Sequence, residues 1–533
     1  MTTDNWNAAP PRKQSELWSL REDVDVELES GDGRVRLHSR WGQVIIERPS
    51  PSVREALRRM RLGPIVLENV TSAHERPASD PGTDGEAVQA RQTQLERVLD
   101  RLQPLIIRSL RLESGQPLLS VVPLTARSRF RPVPLVPDVP VRLSTFAELR
   151  TDGNEYLLES PLALHRAVLH RAEAIWLMAC LARPVTPAAL ATVLPIADPA
   201  AADALEYLVA AGMVVGARSA TENPPVFAED TDPALAGWSP VDLTFHIHST
   251  LGRHDDNFGI TYPAGDTVAP EPVVKAQASQ YLQLHRPRWP DLYQADPPLT
   301  VAIEGRRSVR RYAAAAMTAA ELGELLYRTA RVRSMMTPAA GGHEHADAGD
   351  APTAGGELSD RPYPSGGACY ELELYVTVGN CAGLPAGVYH YDPLGHRLEP
   401  VSSDPGTVHE LLSGARVAAA MDDVPPVLIT MTARFRRLSW KYEGLAYRLV
   451  LMHVGVLIQN MYLVCTAMRL APCALGSVSI DTAARAFGTD WRIEPCVGQF
   501  IVGREPGDYN GEIGRRWNVN DAEWADLARA SRR

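Results

Sequence analysis

The sequence has few cysteines, and no two of them are spaced as a C-x-x-C pair. The 533-residue chain contains six, at Cys180, Cys369, Cys381, Cys465, Cys473 and Cys496. Zinc modules and disulfide-dense scaffolds need closely spaced or numerous cysteines, so neither is predicted. Reduced thiols in a cytoplasm fit this distribution, and no metal site is expected.

Excess positive charge and an apolar leader are also missing. The formal net charge is -10, which gives a phosphate backbone no overall attraction, so nucleic acid is not expected as a partner. The first 18 residues contain no apolar core, so export is not expected. The longest apolar stretch, Leu445 to Leu470, is interrupted by Arg448 and His453, which a bilayer centre penalises. This stretch predicts a buried helix, and no membrane partner is expected.

The length predicts several domains, and the composition is that of a packed globular chain, with 45% hydrophobic and 22% charged residues. A weak repeat joins LREDVDVELES and RVRLH to the later LRTDGNEYLLES and RAVLH. We therefore predict two winged-helix-like modules, over residues 1–130 and 140–220. A proline-rich connector is predicted over 221–298, and a catalytic domain over 299–515 with a flexible insert at 338–360.

The second module has the order of elements of a winged helix-turn-helix. Alternating residues at Tyr156–Leu158 and Val168–Leu169 indicate a hairpin, and helical spacing follows over Ala172–Ala182, Ala188–Val193 and Ala200–Ala211. The last of these segments is acidic and apolar rather than basic. Docking of a peptide or protein is therefore favoured over DNA binding, because phosphate contacts need lysine and arginine.

A possible metal-binding pattern, His343-Glu344-His345, lies in the flexible insert. Two histidines separated by one residue can hold a metal, but no third ligand with useful spacing accompanies them. A solvated loop is favoured over a ligand role.

Four arginines and a serine are concentrated in the seven residues that precede a helix predicted at Thr318–Tyr327. They are Arg306, Arg307, Ser308, Arg310 and Arg311. Guanidinium groups bind phosphate bidentately, and a serine hydroxyl can add a short hydrogen bond to a phosphate or ribityl oxygen. A bound anion explains the cluster, and a solvated basic turn is the alternative.

Three further motifs follow in the same half of the chain. The Pro364–Gly367 segment precedes a strand predicted at Tyr370–Val378, and its two glycines allow backbone to approach a flat ring. A plain turn is the alternative there. Leu475–Gly476 comes after the apolar helix, and Val502–Arg504 closes the domain.

In this order and spacing, the motifs resemble the nitroreductase superfamily, and within it the SagB-type, McbC-like azoline dehydrogenases of peptide natural-product pathways. The resemblance covers roughly residues 140–505. It is carried by RPYPSGGACYELELYV from Arg361, GVYHYDPLGHRLEPV from Gly387, WKYEGLAYR from Trp440 and TFHIHSTLGRHDDNFGITYP from Thr244. The fold class it implies is α+β: a dimeric FMN domain with a mixed sheet wrapped by helices, preceded by the winged-helix-like modules.

The resemblance also implies which residues bind FMN. They are Arg306, Arg307, Ser308, Arg310, Pro364, Ser365, Gly366, Gly367, Leu475, Gly476 and Arg504. Arg306, Ser308 and Arg504 would hold the phosphate and ribityl chain, and Arg310 the pyrimidine end. The Pro364–Gly367 segment would reach the flavin of the other subunit of a homodimer. Cys473 departs from the family pattern, in which proline is frequent at this position of simple nitroreductases.

The activity implied is FMN-dependent oxidation of thiazoline or oxazoline rings in a ribosomally made peptide to thiazoles or oxazoles. An azoline-containing precursor peptide and the cyclodehydratase that makes it would be the partners. An NAD(P)H-dependent nitro- or quinone reductase is the alternative enzyme, although no G-x-G-x-x-G fingerprint is evident. A nonenzymatic peptide-binding scaffold that has kept a flavin fold is the third interpretation.

Lys441 and Tyr442 match the Lys-Tyr pair that the resemblance implies is catalytic. Aromatising an azoline needs a base for the ring proton, and lysine or tyrosine can exchange that proton. The alternative is structural, with Lys441 paired to a carboxylate and Tyr442 in the core. His453 would be the next base to consider, although a lone histidine on an apolar helix is more often a hydrogen-bonded core residue.

Overall fold

The computed structural model describes residues 16–29, 33–71, 84–193, 198–265, 269–274, 280–336, 357–477 and 479–507. The chain divides into two compact units, Met1–Asp256 and Asn257–Arg533. The His343–His345 pattern and most of the insert predicted at 338–360 lie outside the described residues.

The first unit combines eleven described strands with seven described helices. Its strands are β1 (Glu16–Leu20), β2 (Asp25–Leu28), β3 (Val35–Ser39), β4 (Gly42–Ile46), β5 (Ile106–Arg111), β6 (Pro117–Pro123), β7 (Val141–Leu143), β8 (Glu148–Asp152), β9 (Glu155–Glu159), β10 (His165–Leu169) and β11 (Val214–Gly216). Its helices are α1 (Pro51–Leu62), α2 (Glu68–Thr71), α3 (Asp84–Arg101), α4 (Ala172–Cys180), α5 (Pro187–Val193), α6 (Asp198–Ala210) and α7 (Pro240–His248).

Both copies of the sequence repeat form an antiparallel hairpin. Val26 of β2 lies opposite Leu37 of β3, and Leu157 of β9 lies opposite Val168 of β10. The two copies are not separate domains, because β6 of the first half pairs with β10 of the second in one six-stranded sheet, with the order β1-β5-β6-β10-β9-β8. The unit continues to Asp256, well inside the connector predicted at 221–298.

The helices of the second module lie where helical spacing predicted them. After the β9–β10 hairpin come α4, α5 and α6, and β11 then pairs with β7. Leu177, Leu190 and Leu205 come from the three helices and are buried in one cluster. This order of elements is compatible with a winged helix, and that assignment stays a prediction.

The second unit is built around a seven-stranded sheet and also contains two two-stranded sheets. The described strands of the unit are β12 (Gly259–Ile260), β13 (Leu282–Gln283), β14 (Ser334–Met336), β15 (Leu358–Asp360), β16 (Leu372–Val378), β17 (Gly387–Asp392), β18 (Arg397–Ser402), β19 (Val427–Ala433), β20 (Tyr442–Glu443), β21 (Leu470–Leu475) and β22 (Cys496–Arg504). Its helices are α8 (Trp289–Ala295), α9 (Leu299–Gly305), α10 (Ala319–Ala330), α11 (Pro405–Ala418), α12 (Arg436–Ser439), α13 (Ala446–Ala467) and α14 (Ile480–Phe487).

The sheet has the strand order β13-β18-β17-β16-β19-β22-β21, and each of these neighbours is antiparallel. The α+β class is confirmed, but the mixed sheet expected from the resemblance is not seen in the described strands. Short connections explain the difference, because β16, β17 and β18 follow each other through hairpins, which only antiparallel strands can form.

Both faces of the sheet are covered by helices. Along β19, Ile429 and Met431 belong to the core beneath α10 and α13, whereas Leu428 belongs to the core beneath α11 and α14. All seven residues of β19 are buried. This two-sided burial explains the continuous apolar strand, since side chains alternate between two helical layers.

The long apolar helix α13 is buried on one face only. Val454, Leu457 and Met461 lie in the core, whereas Met452 and Val456 are exposed. By length and a mean hydropathy of 1.7, α13 is the one described helix that could cross a membrane. Its packing against α10 and β21 accounts for the buried face. The prediction of a buried helix is therefore correct for one face of α13 only.

Gly503 of β22 is needed for close packing, because a Cβ there would lie 2.4 Å from Tyr312 Cδ1 and 2.6 Å from Pro426 Cγ. We expect Gly503→Ala to lower the free energy of unfolding by about 1–3 kcal/mol through overpacking. Gly414→Ala in α11 is the matched control, since its Cβ would meet nothing within 4 Å. Thermal unfolding of both variants checks this. Equal midpoints for the two variants would show that the packing of Tyr312 tolerates a Cβ at position 503.

Candidate functional site

The predicted anion-binding arginines lie on an extended segment beside β21. The backbone N–H of Val309 donates to Pro472 O at 2.7 Å, and that of Ala313 donates to Arg504 O at 3.0 Å. These bonds hold the segment that begins at Arg306 along the edge of the sheet. The segment therefore runs past Pro472 of β21 and reaches Arg504, at the end of β22, through Ala313.

Ser308 is fixed by Tyr462, a residue outside the four sequence motifs. Its hydroxyl lies 2.7 Å from the hydroxyl of Tyr462 on α13. The Tyr462 oxygen also accepts the N–H of Ala474 in β21 at 2.8 Å. Tyr462 thus joins helix, strand and arginine segment. No sequence signal marks it, since 154 residues separate it from Ser308.

The charged groups around Ser308 are mostly cationic and open to solvent. Arg306 and Arg310 are exposed on either side of it, and the Arg306 guanidinium lies 5.2 Å from the centre of the Tyr462 ring. Arg504 is half-exposed, with Glu321 Oε1 at 3.4 Å from its guanidinium. An accessible set of guanidinium donors with a positioned hydroxyl suits a phosphate group.

Other predicted cofactor residues are placed around this cluster, which we call the arginine cluster (Arg306, Ser308, Arg310 and Arg504). Leu475 is buried at the end of β21 and Gly476 follows it. Arg307 interacts with Glu505. Burial raises the pKa of the Glu505 carboxyl, and the positive charge of Arg307 partly counteracts that rise. Burial also raises the pKa of the Cys473 thiol, so Cys473 is a neutral core residue beneath Arg310.

Lys441 and Tyr442, the predicted catalytic pair, converge on the predicted glycine segment. Gly367 has a φ of 59°, in the left-handed region that favours glycine. A Cβ on Gly367 would lie 2.8 Å from Lys441 Nζ and 2.8 Å from Tyr442 Oη. The polar ends of both side chains therefore lie against one bare stretch of backbone, which we call the glycine corner (Pro364–Gly367, Lys441 and Tyr442).

The glycine corner is positioned by His453 in the middle of α13. The backbone N–H of Gly366 donates to His453 Nε2 at 2.8 Å, so this nitrogen carries the lone pair. The other nitrogen, Nδ1, then carries the hydrogen and donates to Glu371 Oε1 at 2.8 Å. Both ring nitrogens are used, which makes His453 a positioning residue rather than a base. Glu371 was not anticipated, although a glutamate before an all-buried strand is an unusual feature.

The Lys441–Tyr442 backbone is held by a short antiparallel pairing. Ile260 of β12 lies opposite Tyr442 of β20, and the N–H groups of Thr261 and Tyr262 both lie 3.3 Å from Lys441 O. Burial raises the pKa of the Tyr442 phenol above its usual value, with the nearby Cys369 thiol contributing. Tyr442 is therefore a neutral hydroxyl across the physiological pH range.

A buried arginine, Arg437, binds the backbone just after the glycine corner. Arg437 donates from Nε to Cys369 O at 2.8 Å and from Nη2 to Glu357 O at 3.1 Å. It also donates to Pro270 O. Burial lowers the pKa of Arg437 to about 10, which leaves the guanidinium charged. Arg437 thus joins the segments at Pro270 and Glu357 to Cys369, two residues after Gly367.

The arginine cluster and the glycine corner contact different parts of α13. Tyr462 serves the first and His453 the second, and nine residues of helix correspond to about 14 Å. Between them, on the exposed side of α13, runs an open apolar groove lined by Pro362, Tyr363, Pro364, Met452, Gly455, Val456, Gln459, Asn460 and Leu463. Within the described residues of one chain, the two clusters are separate.

Comparisons with known proteins divide along the same lines as the fold. Residues 303–504 match the Nitroreductase family, and residues 141–255 match cyanobactin oxidase ThcOx. MJ1384 of Methanocaldococcus jannaschii, assigned as a nitroreductase, is 29% identical over 32% of this chain and 75% of its own length.

Two further relatives are named for the processing of microcin B17 and of trifolitoxin. The microcin B17-processing protein McbC of Escherichia coli is 31% identical over 28% of this chain and 56% of McbC. The trifolitoxin-processing protein TfxB of Rhizobium leguminosarum bv. trifolii is 30% identical over 28% of this chain and 41% of TfxB. The chain thus spans about half the length of these two relatives. The family matches at residues 141–255 and 303–504, together with the similarity to McbC and TfxB, confirm the resemblance of this chain to the McbC-like branch of the nitroreductase superfamily.

Proposed function

We propose that this chain is an FMN-dependent dehydrogenase that oxidises thiazoline or oxazoline rings of a ribosomally made peptide to thiazoles or oxazoles. The observation that carries the proposal is the convergence of Lys441 Nζ and Tyr442 Oη on the bare backbone of Gly367. Similarity to McbC and TfxB, which are named for the processing of microcin B17 and trifolitoxin, supports the substrate class.

The arginine cluster fits the phosphate end of FMN. Arg306 and Arg310 are exposed on either side of Ser308, whose hydroxyl is held by Tyr462. Arg306, Ser308 and Arg504 would hold the phosphate and ribityl chain, and Arg310 the pyrimidine end. When bound, FMN would supply a two-electron acceptor for the hydride that leaves the substrate.

The residues of this chain would handle the proton. Ring aromatisation removes a proton from the former Cα and a hydride from the former Cβ of the cyclised residue. The amine of Lys441 would accept the Cα proton, and the neutral hydroxyl of Tyr442 would orient that amine or relay the proton. Glu371 and His453 would keep Gly366 in place, and with it the backbone against which both groups lie.

A homodimer would bring the two clusters together. Within one chain they lie about 14 Å apart along α13. The exposed face of α13 between them is apolar, with Leu451, Met452 and Val456 at 40%, 55% and 38% exposure. Burying this face against a second copy would place the glycine corner of one subunit beside the arginine cluster of the other.

The first unit would dock the precursor peptide or the cyclodehydratase that makes the azolines. Its residues 141–255 match cyanobactin oxidase ThcOx, which supports a role linked to peptide processing. No Lys or Arg occurs in α6, so this helix has no side chain suited to a phosphate backbone. A cytoplasmic location stays a prediction.

The NAD(P)H-dependent reductase remains a second candidate, favoured by the similarity to MJ1384 over 75% of that protein. Steady consumption of NADPH with a nitroaromatic or quinone, without any reaction with azoline peptides, would establish it in place of the dehydrogenase.

The arginine cluster is tested by cofactor content. We expect Arg306→Ala to weaken FMN binding by about tenfold to a hundredfold, because a charge-assisted hydrogen bond to phosphate is lost. Arg485→Ala is the control, since Arg485 is 64% exposed on α14 and pairs with Glu410. Flavin absorbance after desalting gives the occupancy. A variant as yellow as the wild type would remove Arg306 from the site.

The dimer is tested on the exposed face of α13. Val456→Asp should produce a monomer with reduced FMN content, because an unpaired carboxylate would be buried in the interface. Val417→Asp, at a position 68% exposed on α11, should remain dimeric. Light scattering coupled to size exclusion gives the mass. A wild-type monomer with full flavin and activity would contradict the shared site.

Lys441→Ala and Tyr442→Phe should keep bound FMN yet lose roughly 10²-fold or more in azoline turnover, the usual scale for proton transfer. Tyr293→Phe, at a position 92% exposed on α8, controls for the loss of a tyrosine hydroxyl. Rates are measured by peptide mass spectrometry at saturating peptide. Near-normal turnover in both variants would exclude the pair from the chemistry.

A further inference from the structure

Two histidines and an aspartate converge at the end of the first unit, outside the flavin domain. They are His248, the last residue of α7, and His254 and Asp256 in the loop that follows. One nitrogen of each histidine and one carboxylate oxygen all lie within 4.8 Å of one another. Their spacing, H-x5-H-x-D, has no C-x-x-C component and matches none of the metal-binding patterns considered from the sequence.

The loop that carries these residues is fixed by its neighbours. Asp255 forms a buried ion pair with Arg21 at 3.1 Å and a second one with Arg166. Arg253 donates to Pro161 O at 3.2 Å and to Leu162 O at 2.8 Å. The side chains on either side of His254 therefore anchor the loop to the rest of the unit. Such support is what holds metal ligands in place before the metal arrives.

The hydrogen bonds determine which nitrogen of His254 can bind a metal. Its Nε2 lies 2.7 Å from Thr250 O, and a carbonyl only accepts, so Nε2 carries the hydrogen. Neutral Nδ1 then carries the lone pair and lies 3.6 Å from Asp256 Oδ2. A histidine ligand that donates its other N–H to a backbone carbonyl is the usual arrangement around metal ions.

A second pair of these atoms, from His248 and Asp256, is already in contact. His248 Nδ1 lies 2.8 Å from Asp256 Oδ2, and the His248 and His254 rings stack with centres 5.5 Å apart. Tetrahedral zinc with bonds of about 2.0–2.2 Å separates its ligand atoms by roughly 3.3–3.5 Å. The distances of 2.8 and 3.6 Å bracket that value. Small side-chain shifts would therefore complete the geometry.

A simple ion pair between His248 and Asp256 is the competing explanation. The hydrogen bond to Asp256 raises the pKa of His248, and the same bond lowers the pKa of Asp256. That pair would use His248 and Asp256 alone, whereas His254 Nδ1 also faces the same carboxylate, at 3.6 Å from Asp256 Oδ2. The convergence of three ligand atoms, with the tautomer of His254 set for coordination, favours a metal.

We propose that His248 Nδ1, His254 Nδ1 and the Asp256 carboxylate bind a zinc ion. Imidazole and carboxylate ligands suit zinc, and three protein ligands leave a fourth position for water or another donor. That position would open into a cavity of about 270 Å³ bordered by Glu148, Glu159 and Thr244. The ion would fix the loop after α7 to the end of the first unit.

Zinc content of the full-length protein tests the proposal. After chelation and dialysis, the protein should take up one zinc per chain, and its thermal midpoint should rise on zinc addition. His254→Ala and Asp256→Asn should each weaken zinc binding by roughly a hundredfold or more, since even outer-shell changes cost 10–100-fold. His170→Ala is the control, because His170 has a comparable carboxylate partner, Glu155 at 2.8 Å, without the second histidine.

Cobalt substitution gives a second measurement on the unmodified chain, so the test does not depend on folding of the variants. Intense visible absorption typical of tetrahedral cobalt should appear at one equivalent and disappear when zinc is added. Absence of zinc uptake and of this spectrum would overturn the proposal. So would variants that bind zinc as the wild type does, or a purified protein that holds iron at these residues. None of these readouts depends on the flavin.

Discussion

The hydrogen bonds of His453 are the constraint on which the candidate active site depends. One ring nitrogen accepts the N–H of Gly366 and the other donates to the buried carboxylate of Glu371. Because both ring nitrogens form hydrogen bonds, His453 holds the glycine segment and the start of β16 in fixed positions relative to each other. A fixed backbone at Gly366 and Gly367 then defines where Lys441 and Tyr442 can place their polar ends.

The helix that carries His453 also relates the two halves of the proposed site. Nine residues later, Tyr462 joins Ser308 to β21, so a single rigid element sets the distance between anion-binding and proton-handling groups. One face of α13 is buried in the core, and the exposed face also carries apolar residues. Together the two faces explain why the helix is so apolar for a globular protein. The same helix would therefore serve as core, dimer interface and scaffold.

Local patterns predicted local structure well. Thr318 caps α10 in a capping box with Glu321, and the helix starts where the sequence indicated. Contacts between distant segments were beyond such patterns. The Ser308–Tyr462 contact, the Glu371–His453 pair and the β6–β10 pairing each join segments that no local spacing relates. Family resemblance singled out Lys441, Tyr442 and the Pro364–Gly367 segment, but their convergence at Gly367 was not predicted, because propensity and periodicity say nothing of contacts between distant segments.

The central claim is that the chain removes two hydrogens from azoline rings with the help of bound FMN. The most direct measurement is mass spectrometry of an azoline-containing peptide after incubation with the purified, FMN-loaded protein in air. The account predicts a loss of two hydrogen atoms per azoline ring and no change in peptides that lack the ring. A fully loaded protein that leaves every thiazoline and oxazoline peptide unchanged, alone or with an added cyclodehydratase, would contradict it.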